Sequence, residues 1–167
     1  MVDLPGGVRV SVEEDWVVVA GRPVAPFPPE REIPVPGSLP LDGFEAHLRV
    51  DELAPPSPDA AGLAGDAVAW LDADEVRPPL RLRGRHPGDR YRPLGLSGTA
   101  KVQDLMVNRK IPRRLRDAVP LVVDDRGILW IPGFRVDARM RITDTTSKAL
   151  RLTVSGRLPW LAEAREA

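Results

Sequence analysis

Cysteine is absent from the 167 residues, which excludes disulfides, thiolate metal sites and a cysteine nucleophile. Histidine occurs only as His47 and His86, in separate segments and outside any HExxH-like spacing, so neither argues for a metal. Aromatic residues make up 5% of the chain, with a single tyrosine, too few for a broad base-stacking surface. No apolar run approaches the ~18 residues of a membrane span. The opening MVDLPGGVRV lacks a charged-then-apolar signal segment. A soluble, cytoplasmic chain with no membrane partner is therefore expected. Ser97-Gly98-Thr99-Ala100-Lys101 is a faint echo of a phosphate loop, but the GxxxxGK[ST] pattern is missing. Asp124-Asp125 reads as a turn rather than a cation site. With no nucleophile beside a base, the residues assign no catalytic group, no metal and no cofactor to this chain.

What the chain does have is charge, unevenly spread. The total balances, 24 basic against 24 acidic residues. Residues 1–76 hold 4 Lys and Arg against 15 Asp and Glu, a net of −11, and residues 77–167 hold 20 against 9, a net of +11. The densest stretch, Arg77 to Arg116, has 12 cations and two acids, Asp89 and Asp104. Such asymmetry points to an anionic partner for the basic half.

The length suits one domain, or one with a smaller companion, and about 68–70% of the unfolded surface can be buried at this size. Val8-Arg9-Val10-Ser11-Val12 alternates as a half-buried strand, Glu13-Glu14-Asp15 supplies a turn, and Trp16-Val17-Val18-Val19 returns as a second strand; Pro5-Gly6-Gly7 punctuates the start. Prolines crowd the segment from Pro23 to Pro58, which leaves room only for short edge strands such as Glu32–Val35 and Phe44–Val50. Ala54 to Gly65 reads as a loop or linker, Ala67–Trp70 as a short strand, and Asp72–Glu75 as a turn. Leu80-Arg81-Leu82-Arg83 alternates as a strand with its arginines on one face. Arg85 to Gly98 is a Gly/Pro loop. Lys101–Asn108 predicts a helix whose apolar stripe is Val102, Leu105 and Met106, and Pro112 opens a second short helix with Leu115 and Val119 facing in. Leu121–Val123 and Ile128–Ile131 flank Asp124-Asp125-Arg126-Gly127 as a hairpin. Arg139–Ile142 and Ala149–Val154 complete a small sheet. The expected fold is α+β: a proline-punctuated, β-rich, acidic portion over residues 1–76, then a basic domain over 77–167 built from a small mixed sheet with two short helices.

The basic half predicts a platform of Arg81, Arg83, Arg85, Arg90, Arg92, Lys101, Arg109, Lys110, Arg113, Arg114 and Arg116. Lys101 falls at a helix start, where amide groups add positive potential. Arginine dominates, and its fork binds phosphate in two-point fashion. Tyr91, between Arg90 and Arg92, reads as a core residue rather than a stacking platform. Two functions fit: nucleic-acid binding, or a structural domain whose basic face packs against a partner or against the acidic half.

The run Pro87-Gly88-Asp89-Arg90-Tyr91-Arg92-Pro93-Leu94-Gly95, then Gly98-Thr99-Ala100-Lys101-Val102-Gln103-Asp104-Leu105, Lys110-Ile111-Pro112, Arg116-Asp117, Val119-Pro120-Leu121-Val122-Val123-Asp124 and Trp130-Ile131-Pro132-Gly133, resembles the C-terminal domain of tRNA(Ile)-lysidine synthetase. Leu4-Pro5-Gly6-Gly7 resembles the segment leading into that domain. The resemblance runs from about Leu80 to Arg139 and is looser over 21–76. It implies a parent ligase that uses ATP to adenylate the wobble cytidine of an isoleucine tRNA, after which a lysine amine displaces AMP. It places that chemistry in an N-terminal catalytic domain with an SGGxDS loop, a motif this chain does not contain. By the same resemblance this chain binds and positions tRNA, its partners are tRNA and the catalytic domain, ATP belongs to that domain, and the oligomeric state stays open. Many relatives carry two lysines after the Gly-Thr or Gly-Ser step; here the first is Ala100.

Overall fold

Alternating valines shape the first strands. In the computed structural model, which describes residues 2–4, 8–13, 16–20 and 25–163, β1 (Val2–Leu4), β2 (Val8–Glu13) and β3 (Trp16–Ala20) form an antiparallel sheet, with Val10 opposite Val19 and Val12 opposite Val17. The expected punctuation at residues 5–7 and the turn residues Glu14 and Asp15 lie outside the described residues.

The proline-rich segment makes short strands, as fixed φ and missing donors dictate. β4 (Arg31–Glu32) stops before Pro34 rather than reaching Val35. β5 (Gly37–Pro40) turns back into β6 (Ala46–Leu53). β6 was expected as a short edge strand; it starts two residues later, because Gly43 takes a left-handed φ of 86° and the Leu41 amide bonds the Ala46 carbonyl at 2.9 Å, and in the proline-free stretch 41–54 it runs eight residues and lies inside its sheet, not at an edge. Ala46, Leu48 and Val50 face in while His47 and Arg49 face out, the period of a half-buried strand. The expected loop at Ala54–Gly65 contains a single helical turn, α1 (Pro58–Gly62). The Ser57 hydroxyl accepts from the Ala60 amide at 3.2 Å and Pro58 fills the first position, a capping signal readable in Ser-Pro-Asp. β7 (Val68–Asp72) follows.

Next come β8 (Arg81–Arg83), β9 (Arg90–Tyr91), β10 (Ala100–Lys101), α2 (Val102–Asn108) and α3 (Arg113–Arg116). The chain ends with β11 (Leu121–Asp124), β12 (Gly127–Trp130), β13 (Ala149–Gly156) and α4 (Pro159–Glu163). Gly127, at φ 131°, closes the β11–β12 hairpin. Residues Arg139–Ile142 were expected as a strand; Ala138–Met140 is instead a 3-10 turn. The reason is local: the Asp137 carboxylate accepts from the Arg139 amide at 3.0 Å and so caps the turn, a competition with strand pairing that Asp commonly wins.

Two four-stranded antiparallel sheets result, in the orders β5-β6-β13-β7 and β12-β11-β8-β4. The α+β class is as expected. The expected boundary between residues 76 and 77 falls between β7 and β8, and each sheet draws strands from both sides of it. β13 is central, with Leu152 opposite Val50 on one side and Ala69 on the other. Gly156 ends it where a Cβ would sit 2.1 Å from the Glu45 carbonyl oxygen, so only glycine fits. All four residues of β11 are buried, the mark of a strand covered on both faces. One continuous core joins these sheets to Val102 and Met106 of α2 and Trp160 of α4; each fully buried large side chain contributes about 1.5–3 kcal/mol. Among the described residues no helix is long and apolar enough to cross a membrane.

Candidate nucleic-acid interface

The structure divides the eleven expected cations into two groups. Five are engaged inside the chain. Arg81 is bound by Glu30 at 3.0 Å and Asp125 at 2.8 Å. Arg83 makes a two-point pair with Asp89 at 2.8 and 3.0 Å. Arg85 contacts Asp117 and the Gln103 amide oxygen. Arg109 meets Asp66 and lies over the Phe134 ring, 5.7 Å from its centroid. Arg116 donates from Nε to the Ile111 carbonyl at 2.9 Å. A carboxylate on the same chain satisfies the first four, which alternation of charge along one strand does not reveal.

The remaining six, Arg90, Arg92, Lys101, Lys110, Arg113 and Arg114, are exposed and have no carboxylate within salt-bridge distance among the described residues. Their scaffold is firm. On β9 Tyr91 points into the core and its hydroxyl donates to the Arg135 carbonyl at 3.1 Å; burial, then the charge of Asp137, pushes its phenol well above the usual range. Tyr91 is therefore the core residue expected. The Arg92 amide donates to Asp137 at 3.0 Å, which fixes the strand end. Alternation then turns Arg90 and Arg92 outward.

β9 and β10 pair antiparallel, with Ala100 opposite Tyr91 and Lys101 opposite Arg90. Two cations thus face each other across a two-residue ladder, where Cβ atoms lie about 4.5–5.5 Å apart. Like charges in that arrangement repel unless an anion lies between them. Among the described residues the Arg90 guanidinium hydrogen-bonds neutral groups alone, Thr99 Oγ1 at 3.3 Å and the Thr99 carbonyl at 3.4 Å. Lys101 also starts α2, without a side-chain cap bond. A small hollow of about 210 Å³ beside it is lined by Arg85, His86, Asp89, Lys101, Gln103 and Asp104.

Asp89 stabilises this loop. Burial raises its carboxyl, but the Arg83 guanidinium and the His86 amide outweigh burial and hold it below the usual carboxylate range. A larger groove of about 780 Å³ runs past Trp70, Leu105, Phe134 and Val136, with Arg135 and Arg141 along it. These two exposed arginines were not among the expected site residues. Arg135 lies in an irregular segment and Arg141 in a stretch expected as a strand, so nothing in the sequence groups them with Arg109, which lines the same groove.

The charge split is partly consumed within the molecule. Arg81–Glu30, Arg109–Asp66, Arg126–Glu75 and Arg151–Asp51 each join a basic-half arginine to an acidic-half carboxylate.

Fold and surface together define a small antiparallel α+β domain that presents six exposed cations without a carboxylate partner among the described residues. The chain belongs to the TilS C-terminal domain family: the model described as the TilS substrate C-terminal domain matches residues 80–154, and the crystal structure of a TilS C-terminal domain superposes with a TM-score of 0.67 at 31% identity, over 77% of this chain and 97% of that one. The chain is 38% identical over 163 residues to a tRNA(Ile)-lysidine synthase of Symbiobacterium thermophilum, a match covering 93% of this chain and 33% of that protein. It is 33% identical over 156 residues to the tRNA(Ile)-lysidine synthase of Geobacter sulfurreducens, covering 92% of this chain and 32% of that one. It therefore spans about a third of the length of the curated relatives it matches.

Proposed function

We propose that this chain is a tRNA-binding accessory domain of a tRNA(Ile)-lysidine synthase, which positions tRNA for ATP-dependent lysine ligation by a catalytic domain outside this sequence. The carrying observation is the Arg90–Lys101 pair, two cations placed opposite each other with no carboxylate within salt-bridge distance of either among the described residues. A phosphate backbone supplies the missing anion and turns a repulsive pair into a binding site. Arg92, Lys110, Arg113 and Arg114 extend the same chemistry. Binding is then dominated by phosphate contacts and depends weakly on sequence.

The packing alternative has support at other residues. The four ion pairs across the two halves tie partly exposed arginines to acidic-half carboxylates, which leaves the six cations without a carboxylate partner among the described residues to meet RNA.

Salt dependence separates the two. Each phosphate contact adds roughly 0.7–0.9 to the log–log slope of affinity against salt, so four to six contacts give a slope of about −3 to −5. Arg90→Ala and Lys101→Ala should each flatten the slope by about one unit and weaken matched and unmatched tRNAs alike. Arg49→Ala, in the acidic half and paired with Asp51 at 2.9 Å, should leave it unchanged. Equal slopes in filter-retention assays of all four proteins would reject the RNA-binding surface.

A further inference from the structure

The end of α2 carries an anomaly. The Ile111 amide bonds the Met106 carbonyl and the Lys110 amide bonds the Val107 carbonyl, each at 2.9 Å. This is the paired bonding of a helix C-terminus that reverses through one left-handed residue, a position normally given to glycine. Lys110 holds it, at φ 57°. The other positive-φ residues described, Gly43, Gly88, Gly95, Gly98, Gly127, Gly133 and Gly156, are all glycine. Among the described residues Lys110 is thus the one place where a side chain is kept against the conformational preference of L-residues.

The backbone cannot escape the strain. Met106 and Ile111, the residues joined by the longer of the two loops of hydrogen bonding, are both buried in the core, and α3 follows directly after Pro112. Nor does the side chain act within the domain. It is exposed, and no side-chain hydrogen bond or ion pair to it occurs among the described residues. A cation near a helix C-terminus can answer the helix dipole, but Arg109 already stands at the cap of this seven-residue helix.

We infer that Lys110 is retained as a phosphate contact at the expense of domain stability, and that with Arg113 and Arg114 it forms an RNA-backbone site on the α2–α3 connection. This inference rests on the RNA-binding reading above. The residue-specific claim is separable from it: glycine at this position gives a more stable domain that holds RNA less well.

The test compares the parent with Lys110→Gly, Lys110→Arg and Arg90→Ala, by thermal unfolding and by tRNA binding across a salt series. Lys110→Gly should raise Tm by about 2–4 °C while flattening the salt slope by roughly 0.7–0.9. Lys110→Arg should keep the parental slope with no gain in Tm. If Lys110→Gly binds tRNA as the parent does while Arg90→Ala flattens the slope, the RNA-binding reading stands and the Lys110 assignment is overturned. A lower Tm for Lys110→Gly would show that the lysine serves the helix end, and would overturn it too. Parental slopes for both Lys110→Gly and Arg90→Ala would remove the surface and this inference together.

Discussion

Asp124 shows how much one residue can hold. Its side chain is 0% exposed and accepts from both Arg139 Nη atoms, at 2.8 and 3.1 Å, and from the Arg77 and Arg126 amides at 2.9 Å each. Burial pushes its carboxyl up; the Arg139 guanidinium and the two amides outweigh burial and hold it below the usual range. Asp124→Asn leaves a guanidinium without its counter-charge, and should cost on the order of 3 kcal/mol in denaturant unfolding. The same group sets an acid limit. Its folded pKa lies below the unfolded value of about 3.9, so its contribution is complete above that value and is lost as pH falls through the folded pKa. Asp89, also depressed, acts in the same direction. Tm should hold steady down to about pH 5 and drop below about pH 4, and Asp124→Asn should show a shallower acid drop than the parent. A parental acid profile in that variant would refute the assignment. In the sequence, Asp124 looked like a turn residue beside Asp125. Its partner lies fifteen positions away in a turn expected as a strand, so nothing local announced the pair.

The elements were most legible where a period was long enough to see. The stripe of α2 placed Val102 and Met106 in the core, where both are fully buried, and the alternation of Leu80-Arg81-Leu82-Arg83 set Leu80 and Leu82 on the face opposite the arginines, where both are buried. The two-residue strands β9 and β10 left no period at all, yet their register creates the Arg90–Lys101 pair. Leu105 was expected inside with its neighbours. It is half-buried and lines the large groove, because the core contacts the α2 face carrying Val102 and Met106. The two positions should differ accordingly. Met106→Ala should cost about 2–5 kcal/mol, and Leu105→Ala about 1 kcal/mol, in keeping with partial burial. Equal losses in chemical denaturation would mean that α2 is rotated from the orientation described.

At the scale of the molecule, the halves distinguished by charge are not independent in pairing. β13 lies between β6 and β7, and β8 lies between β11 and β4. Residues 77–167 expressed alone would leave β13 with both edges open, and sheets in that state rarely hold together in water. The isolated segment should show no cooperative thermal transition, and adding residues 25–76 as a separate chain should restore one. A sharp transition in the isolated segment would show that its core is self-sufficient. Hydropathy and charge divided the sequence because they are one-dimensional properties, whereas strand order is decided by long-range pairing that composition does not record.

The central place of β13 also bears on synthesis. Ala46 opposes Gly156 in the ladder, so the sheet cannot close until nearly the whole domain has left the ribosome. Non-local pairing of this kind slows folding, and translation at roughly 5–20 residues per second leaves β6 and β7 waiting for several seconds with Leu48, Val50 and Leu71 uncovered. The nascent chain is most prone to mis-association in that interval, and a premature stop anywhere before β13 releases a product that cannot complete its sheet.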